Sequence, residues 1–371
     1  MKKILVILGT RPEAIKMAPV IRALKQHPQQ FDLSVCVTGQ HRDMTASILD
    51  FFQIRPDYDL QVMRSGQTLA QLTARILTGV EELILQTQPD WILVQGDTTT
   101  VMASAVAGFY HDIQVGHIEA GLRTHSKRAP FPEEINRRIA SVAADLHFAP
   151  TEAARAALLS EGVPEHAVHL TGNTVVDALL WARQQIRQDR PPLPEGLPET
   201  LQGKRLLLAT GHRRENMGQG LEQICLALRE LAEKNPDLAV VYPVHPNPNV
   251  QQTVRPLLGD VPRVHLVEPQ DYAPFIWLME QSYLILTDSG GVQEEAPYLN
   301  KPLLVTRETS ERPEGVAAGS AQLVGADRQK IVTQAQQLLD DPQQYAQRAG
   351  GGRLYGDGSA AEQIAAILQN Q

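Results

Sequence analysis

Three carboxylates in the first half of the chain stand where an acid or base catalyst could be placed. Asp97 follows the apolar run WILVQG, Glu119 ends IQVGHIE, and Glu133 lies in PFPEEINRR at a predicted helix start. Crowded carboxylates raise one another's pKa and act as general acid and base partners. Two of them also have a structural explanation, because Asp97 could cap a helix and Glu133 could form a surface ion pair with Arg137.

The second half contains a sequence suited to holding a phosphate. In LILTDSGGVQEEA (284–296) a predicted strand is followed by Ser289, Gly290 and Gly291, and then by a helix that contains Glu295. Two glycines allow a ligand to approach the backbone, and a helix start offers unpaired N–H groups to an anion. Glu295 could accept hydrogen bonds from ribose hydroxyls. Taken alone, an ordinary turn with Ser289 as the N-cap explains these residues equally well.

Basic residues follow two other predicted strands of that half. ATGHRREN (209–216) places His212 beside Arg213 and Arg214, and YPVHPNPN (242–249) adds His245. Guanidinium groups bind phosphate with two parallel hydrogen bonds, so these residues fit an anion clamp, and a solvated charged loop is the alternative. The two histidines lack the compact spacing of a metal site, and we predict neither a metal nor a cofactor.

Alternating strands and helices must position these residues. Ten short runs rich in Val, Ile and Leu mostly lack period-two alternation, which is typical of parallel strands buried on both faces. The runs are 4–8, 33–39, 91–96, 113–119, 146–150, 205–211, 238–245, 263–268, 283–289 and 302–307. Helical segments fill the gaps, which predicts a doubly wound α/β architecture. Ligands of such sheets bind beyond the carboxyl ends of the strands, where the candidate residues lie.

Length and composition bound the protein class. A chain of 371 residues favours two domains, and the strand–helix series restarts after the proline-rich segment 188–204. We therefore expect two similar α/β domains that face each other across a cleft. The net charge of −8 argues against nucleic acid as a partner. Cys36 and Cys225 lie in apolar segments and are expected to be buried thiols, and we expect a cytoplasmic protein without signal peptide or membrane span.

Three enzyme classes lack their signatures in this sequence. The first strand leads into GTRPEAIK, which has the single glycine Gly9 where a dinucleotide fingerprint needs three, and LSVCVTGQ ends without an acidic ribose-binding residue. No P-loop motif and no G-x-S-x-G elbow occurs. A phosphate-binding half and an acidic half together favour nucleotide-sugar chemistry.

Ten short motifs carry a resemblance to a known family. They are GTRPEAIKMAP, TGQHRDM, GDTTT, GHIEAGLRT, PFPEEINRR, TGNTVVDAL, TGHRREN, YPVHPNPNV, LTDSGGVQEEAP and ERPEGV. Together they resemble the non-hydrolysing UDP-N-acetylglucosamine 2-epimerases of bacteria. The resemblance runs from residue 4 to YGDG at 355–358, which is essentially the whole chain.

The resemblance implies a glycosyltransferase-B-like fold of two Rossmann-like domains. The domain with the catalytic carboxylates would comprise 1–172 plus 359–371, and the domain that binds UDP would comprise 173–358. The implied reaction is the reversible conversion of UDP-N-acetylglucosamine to UDP-N-acetylmannosamine, without metal or nicotinamide. UDP leaves by anti elimination, 2-acetamidoglucal forms, and UDP adds again. The product would supply a bacterial surface polysaccharide, and the family leads us to expect a homodimer.

Site residues carried over from the resemblance fall into four groups. Those matching diphosphate contacts are Arg11, His212, Ser289, Gly290 and Gly291, and His212 is also placed in the catalytic group with Asp97, Glu119 and Glu133. Glu295 matches the ribose contact, and Phe275 matches the uracil platform. The remaining predicted substrate contacts are Lys16, Arg137, Arg213, His245 and Arg312. Which carboxylate removes the C2 proton stays open.

Members of this family can bind a second UDP-N-acetylglucosamine as an activator. Gln40, Glu134 and His245 match residues of that site. Asp43 stands where some members have Gln, and Gly66 stands where they have Arg. Because Gly66 lacks a phosphate-pairing side chain, the resemblance leaves activation open.

Three alternatives remain beside the epimerase. A glycosyltransferase of the same fold would bind the same donor but need an acceptor. A hydrolysing 2-epimerase would release free N-acetylmannosamine, and it usually carries a kinase domain for which this chain has no room. A non-enzymatic nucleotide-sugar sensor is disfavoured, because binding alone gains nothing from burying carboxylates.

Overall fold

The computed structural model describes residues 1–40, 42–197, 201, 203–211, 213 and 216–371. The chain divides into two compact units. The first comprises Met1–Leu180 with Tyr355–Gln371, and the second comprises Trp181–Leu354. The described part of the proline-rich segment 188–204 falls within the second unit. The functional domains predicted at 1–172 plus 359–371 and at 173–358 stay a prediction.

The first unit contains a parallel sheet with the strand order β3-β2-β1-β4-β5-β6-β7. Its strands are β1 Lys2–Leu8, β2 Phe31–Val37, β3 Tyr58–Asp59, β4 Trp91–Gln95, β5 Gln114–Ile118, β6 Leu146–Ala149 and β7 Val168–Leu170. Its helices are α1 Arg11–Lys25, α2 Arg42–Phe51, α3 Leu69–Thr87, α4 Thr99–Tyr110, α5 Glu133–Ala143 and α6 Glu152–Ser160. The next helix, α7 Thr174–Gln188, begins in the first unit and ends in the second.

The second unit contains a parallel sheet with the order β10-β9-β8-β11-β12-β13. Its strands are β8 Arg205–Thr210, β9 Leu238–Pro243, β10 Val264–Val267, β11 Leu284–Thr287, β12 Leu303–Val305 and β13 Ala321–Leu323. Its helices are α8 Gln219–Lys234, α9 Pro248–Leu258, α10 Tyr272–Gln281, α11 Gly290–Glu295, α12 Pro313–Ala317, α13 Arg328–Asp340 and α14 Pro342–Ala349.

The last helix, α15 Ala360–Gln369, belongs to the first unit and packs on α1. The Lys2 ammonium donates to the carbonyls of Leu368 at 2.7 Å and Gln369 at 3.0 Å. A cation at these carbonyls also stabilises the negative end of the helix dipole. The two ends of the chain therefore meet in one folded unit.

Each core lies between a sheet and its helices. In β1 the residues Ile4–Leu8 are all buried, and in β4 every residue is buried, because helices cover both faces of a parallel sheet. In the second unit α8 contributes Leu221, Leu228 and Leu231 to the core. Burial of one such leucine stabilises the fold by about 1.5–3 kcal/mol. This packing fixes the strand ends that carry the candidate site residues.

The predicted fold class is confirmed, since each unit is a parallel α/β sheet with helices. Each of the ten apolar runs contains a strand, and the described residues contain three more, β3, β7 and β13, which have only two or three residues each. Cys36 and Cys225 are free and buried as predicted, and burial raises the pKa of each thiol to about 12. No helix in the described part of the chain has the length and apolar character needed to cross a membrane.

Candidate active site

The turn between β1 and α1 is filled by a carboxylate of the chain itself. Glu13 is 1% exposed, and its Oε2 accepts hydrogen bonds from the backbone N–H groups of Gly9 at 2.9 Å and Thr10 at 2.5 Å. Its Oε1 accepts from the Thr98 hydroxyl at 2.7 Å. Burial raises the pKa of Glu13, and these hydrogen bonds oppose that rise. The two amides are therefore satisfied internally.

Gly9 is required at this turn by close packing. A Cβ at Gly9 would lie 2.4 Å from the hydroxyl oxygens of both Thr38 and Thr100. The Thr100 hydroxyl also approaches Oε1 of Gln40 at 3.2 Å, which places Gln40 at the carboxyl end of β2. The candidate activator residue Gln40 thus lies at the same edge of the sheet as the turn after β1.

Two basic candidates lie on α1. Arg11 is its first residue and is half-buried. Lys16 is buried, and its Nζ lies 2.5 Å from Oε1 of Glu119 on the loop that follows β5. The structure therefore brings Lys16 and Glu119 together at the carboxyl edge of the sheet, where ligands of such folds bind.

Glu119 is held by donors on both carboxylate oxygens. Besides Lys16, the amide of Asn173 donates to Oε1 at 3.2 Å, and the amide of Gln95 donates to Oε2. Glu119 is 8% exposed and has φ of +62°, the left-handed region that residues other than glycine seldom adopt. A buried carboxylate is tolerated when it is paired and hydrogen-bonded, and strained backbone of this kind is concentrated at functional sites.

Asp97 follows the neighbouring strand β4 and is paired with Arg137. The Arg137 guanidinium donates to Oδ2 of Asp97 through Nε at 3.1 Å and through Nη2. The Asn136 amide donates to the backbone carbonyl of Asp97 at 3.0 Å. Asp97 stays partly exposed, whereas Arg137 is buried. Asp97 therefore has a fixed cation on one side and access to solvent on the other.

Glu134, a candidate activator residue, is fully buried next to the pair of Asp97 and Arg137. Its carboxylate accepts from the backbone N–H groups of Thr124 at 3.0 Å and His125 at 3.2 Å, and it lies 3.2 Å from Nη1 of Arg137. Arg137 thus pairs with Asp97 and Glu134 rather than forming the surface ion pair considered with Glu133. Glu133 is the first residue of α5 and is half-buried.

His117 supports the turn that carries Asp97. It is fully buried on β5, and its Nε2 lies 2.7 Å from the carbonyl oxygen of Gly96. Burial, aided by the charges of Arg123 and Arg137, lowers the pKa of His117 to about 4, although the hydrogen bond opposes the shift. The neutral ring therefore donates its Nε2 proton to this carbonyl. Gly96 has φ of +84°, so the hydrogen bond fixes a turn that favours glycine.

In the second unit, Asp288 organises the loop after β8. Asp288 is fully buried, and its Oδ2 accepts from the backbone N–H of Arg213 at 2.9 Å and from the amide of Asn216 at 3.3 Å. The Arg213 backbone is thereby held next to the DSGG turn. The predicted residue His212 lies outside the described residues.

The turn after β11 leads into a short helix. Ser289 is the N-cap residue of α11, as the ordinary-turn alternative has it, although its hydroxyl makes no capping hydrogen bond. The helix spans only the six residues Gly290–Glu295, which limits the field that its dipole contributes. Positive charge near the turn comes instead from arginine side chains.

Three arginines surround the carboxylate of Glu311. Arg312 approaches Oε1 at 2.8 Å, Arg213 approaches Oε1 at 3.7 Å, and Arg307 approaches Oε2 at 2.7 Å. Burial raises the pKa of Glu311, but the charges of Arg312, Arg307 and Arg213 together lower it to about 2. Glu311 is therefore ionised at neutral pH and binds the three cations into one cluster.

Arg312 lies over the first glycine of the turn. Its Nε and Nη2 each lie 2.9 Å from Oε1 of Glu294, and its Cζ would lie 3.3 Å from a Cβ placed on Gly290. At Gly291 a Cβ would meet, among the described residues, only the Ser289 hydroxyl, at 4.0 Å. The two glycines thus leave room for the guanidinium on one side and for a ligand on the other.

The remaining candidates of this unit lie on or near α10. Glu295 is 6% exposed, and its Oε1 accepts from the Tyr272 hydroxyl at 2.9 Å. Phe275 is half-buried one helical turn after Tyr272, so the two rings share a face of α10. His245 is exposed after β9, and its Nδ1 accepts from the backbone N–H of Asn247 at 3.1 Å.

Comparison with known proteins decides the family. A family model described as UDP-N-acetylglucosamine 2-epimerase matches residues 22–369. The chain is 49% identical over 371 residues to the UDP-N-acetylglucosamine 2-epimerase of Salmonella typhimurium, a match that covers 99% of this chain and 98% of that protein. The chain belongs to the UDP-N-acetylglucosamine 2-epimerase family.

Solved structures of epimerases agree with this family. The UDP-GlcNAc 2-epimerase of Neisseria meningitidis, solved bound to UDP-GlcNAc, is 46% identical with a TM-score of 0.93 and complete coverage of both chains. The UDP-GlcNAc 2-epimerase of Methanocaldococcus jannaschii, solved with UDP-GlcNAc and UDP, is 32% identical with a TM-score of 0.84, again with complete coverage. The predicted family and its enzyme class, a non-hydrolysing epimerase and hence an isomerase, are confirmed.

Several contacts of this epimerase were not predicted from its sequence. Gln95 and Asn173 hold Glu119, and Glu311 gathers the arginines of the second unit. Gln95 could have been found as the one polar side chain in the apolar run WILVQ, and Asn173 as a polar residue in TGNTVVDAL. Glu311 gave no such signal, because a Glu beside Arg in a loop is usually a solvated pair.

Two further predictions concern the activator site and the binding of a metal. The side chain of Asp43, a departure from the activator site, lies outside the described residues, and a Cβ on Gly66 would meet no atom of the described part of the chain within 4 Å. Among the residues that the structure describes, no three His, Cys, Asp or Glu side chains are grouped to hold a metal ion.

Proposed function

We propose that the chain interconverts UDP-N-acetylglucosamine and UDP-N-acetylmannosamine without net hydrolysis. A carboxylate takes the C2 proton while the C1–O bond to UDP breaks, which gives UDP and the C1=C2 double bond of 2-acetamidoglucal. UDP then adds at C1, and a proton returns to the opposite face of C2. The observation that carries the proposal is the pair of carboxylates Glu119 and Asp97 on adjacent strand ends, each paired with a buried cation.

The first unit is assigned the proton transfers. Glu119, Asp97 and Glu133 are the proposed acid and base groups, with Lys16 and Arg137 as the cations that hold the first two. Such groups contribute about 10²–10⁴-fold each to a reaction of this kind. The C2 base is one of these three carboxylates.

The second unit is assigned the nucleotide. Ser289, Gly290 and Gly291 are the proposed diphosphate contacts. Support comes from the space beside Gly291 among the described residues and from Arg312 and Arg213 near this turn, since guanidinium groups stabilise the charge of a leaving diphosphate. We assign the ribose to Glu295 with Tyr272, and the uracil to Phe275. Arg11, His212 and His245 stay proposed contacts of the substrate, and Gln40, Glu134 and His245 stay proposed contacts of an activator.

The location and the product's use follow from the same proposal. A nucleotide sugar of this type is consumed in the cytoplasm as a precursor, and we propose that this product supplies a surface polysaccharide. A homodimer is part of the proposal. Its support is the exposed apolar surface of Phe109 and Tyr110 at the end of α4 and Val142 on α5, which are 64%, 68% and 88% exposed.

The deciding experiment follows the C2 position in heavy water. UDP-N-acetylglucosamine is incubated with the protein alone, and the sugar is observed by NMR. Formation of the manno epimer with deuterium at C2 is the expected result. Free N-acetylmannosamine would indicate a hydrolysing epimerase, and exchange that fails without an added acceptor would favour a glycosyltransferase.

A further inference from the structure

Asn173 lies where the backbone at Gly172 packs closely against the backbone of Tyr355 and Gly356, beside the proposed active site. It precedes α7, the helix in which the chain passes from the first unit to the second. Its backbone N–H donates to the carbonyl of Tyr355 at 2.7 Å. Next to it, a Cβ on Gly172 would lie 2.9 Å from that same carbonyl and 3.1 Å from Cα of Gly356, and both glycines have positive φ. The position of the Asn173 backbone is therefore closely fixed by its neighbours.

The two polar atoms of the Asn173 side chain make different hydrogen bonds. It is 2% exposed, and its Oδ1 accepts from the backbone N–H of Val175 at 3.1 Å, which caps the start of α7. Its Nδ2 donates to Oε1 of Glu119 at 3.2 Å. Serine and aspartate would cap the helix as well as asparagine does. An amide donor is needed only for the contact with Glu119.

The hydrogen bond from Asn173 fixes the orientation of the Glu119 carboxylate. Gln95 donates to Oε2, so a donor at Oε1 is needed to set the plane of the group. Lys16 also reaches Oε1, but an ammonium on a flexible four-carbon stem defines the direction of a hydrogen bond less closely than a planar amide. Asn173 on a fixed backbone supplies that direction.

We infer that Asn173 is a positioning residue that orients Glu119 for proton transfer at C2. The inference rests on the proposed function, in which Glu119 is one of the acid and base groups. It assigns Asn173 no contact with the substrate, so its loss should affect the chemical step more than binding.

The test uses Asn173→Ser and Asn173→Asp, both of which retain a helix cap. The kcat for deuterium exchange at C2 should fall about 10-fold or more in each variant. KM and the affinity for UDP should stay within about twofold of the wild-type values.

The matched control is Asp327→Ala in the second unit. Asp327 is an exposed N-cap that accepts from the backbone N–H of Lys330 at 3.0 Å, so its removal costs a cap without touching the site. The melting temperature of this variant should fall, and its kcat should equal that of the wild type. Wild-type kcat in both Asn173→Ser and Asn173→Asp would overturn the inference, whereas absence of exchange in the wild-type protein would overturn the proposed function itself.

Discussion

At the scale of single residues, Glu119 and Asp97 follow adjacent strands but have different surroundings. Glu119 is buried among a lysine and two amides, whereas Asp97 is partly exposed and pairs with a buried arginine. A buried carboxylate is shielded from competing water, so its interaction with a carbon acid is stronger than at an exposed position. The two groups are therefore suited to different proton transfers.

Replacing these carboxylates should separate chemistry from binding. Glu119→Gln and Asp97→Asn should each lower kcat by about 100-fold or more, because each removes an acid or base group. UDP affinity, measured by calorimetry, should stay within about twofold, because the nucleotide contacts are assigned to the second unit. Glu81→Gln, at a side chain that is 51% exposed, is the control and should keep wild-type kcat. Equal losses of turnover and UDP affinity would contradict these roles.

At the scale of elements, β5 and β6 bring two buried histidines together. His117 and His147 are paired in the sheet register and are 0% and 2% exposed. Burial lowers the pKa of His117 to about 4 and that of His147 to about 3, with the charge of Arg123 acting in the same direction on both. Both rings are thus neutral in the folded protein at any pH where the enzyme would work.

These two histidines should make the protein less stable in mild acid. An unfolded histidine takes up a proton near pH 6.5, whereas the folded rings do so only near pH 4 and 3. Their contribution to stability is present above pH 6.5 and is lost as the pH falls toward these values. Over that range each ring should lower the free energy of unfolding by about 1.4 kcal/mol per pH unit, as measured by urea denaturation.

The variant His147→Gln should reduce this pH dependence, because glutamine does not titrate. His166→Gln is the matched control, since His166 is an exposed histidine of the same unit. An unchanged dependence in His147→Gln would show that the buried pair does not contribute to acid sensitivity.

The elements that could be predicted from sequence are those with a long pattern. The apolar runs of β1 and β4 identified buried strands, while β3 and β13 are too short to show any periodicity. The candidate carboxylates were found because strand ends are where ligands bind. Their partners were not, because the pairing of Asp97 with Arg137 joins residues 40 positions apart. Local spacing rules cannot reach such contacts.

At the scale of the whole molecule, an acidic net charge coexists with a local cluster of arginines in the second unit. The chain carries a net charge of −8, yet Arg213, Arg307 and Arg312 gather around one carboxylate in the second unit. A cluster of this kind would attract the diphosphate of the nucleotide that we propose for this unit, despite the acidic net charge of the chain. Composition argues against nucleic acid as a partner but could not reveal this cluster.

The proposed homodimer can be tested at its apolar surface. Val142→Glu places a charge at a side chain that is 88% exposed on α5, and it should convert the dimer to a monomer in sedimentation velocity. Gln329→Glu, on the exposed start of α13, is the control and should stay dimeric. A wild-type protein that sediments as a monomer would contradict the proposal.

The Glu13 carboxylate in the first turn has a consequence for selectivity. A phosphate entering this turn would meet the Glu13 carboxyl group, and the N–H groups of Gly9 and Thr10 already donate to its Oε2. Displacing it would leave buried hydrogen-bonding groups unpaired, at a cost of about 1–3 kcal/mol each. The backbone N–H groups that this turn would offer to the pyrophosphate of a dinucleotide are therefore already used within the chain.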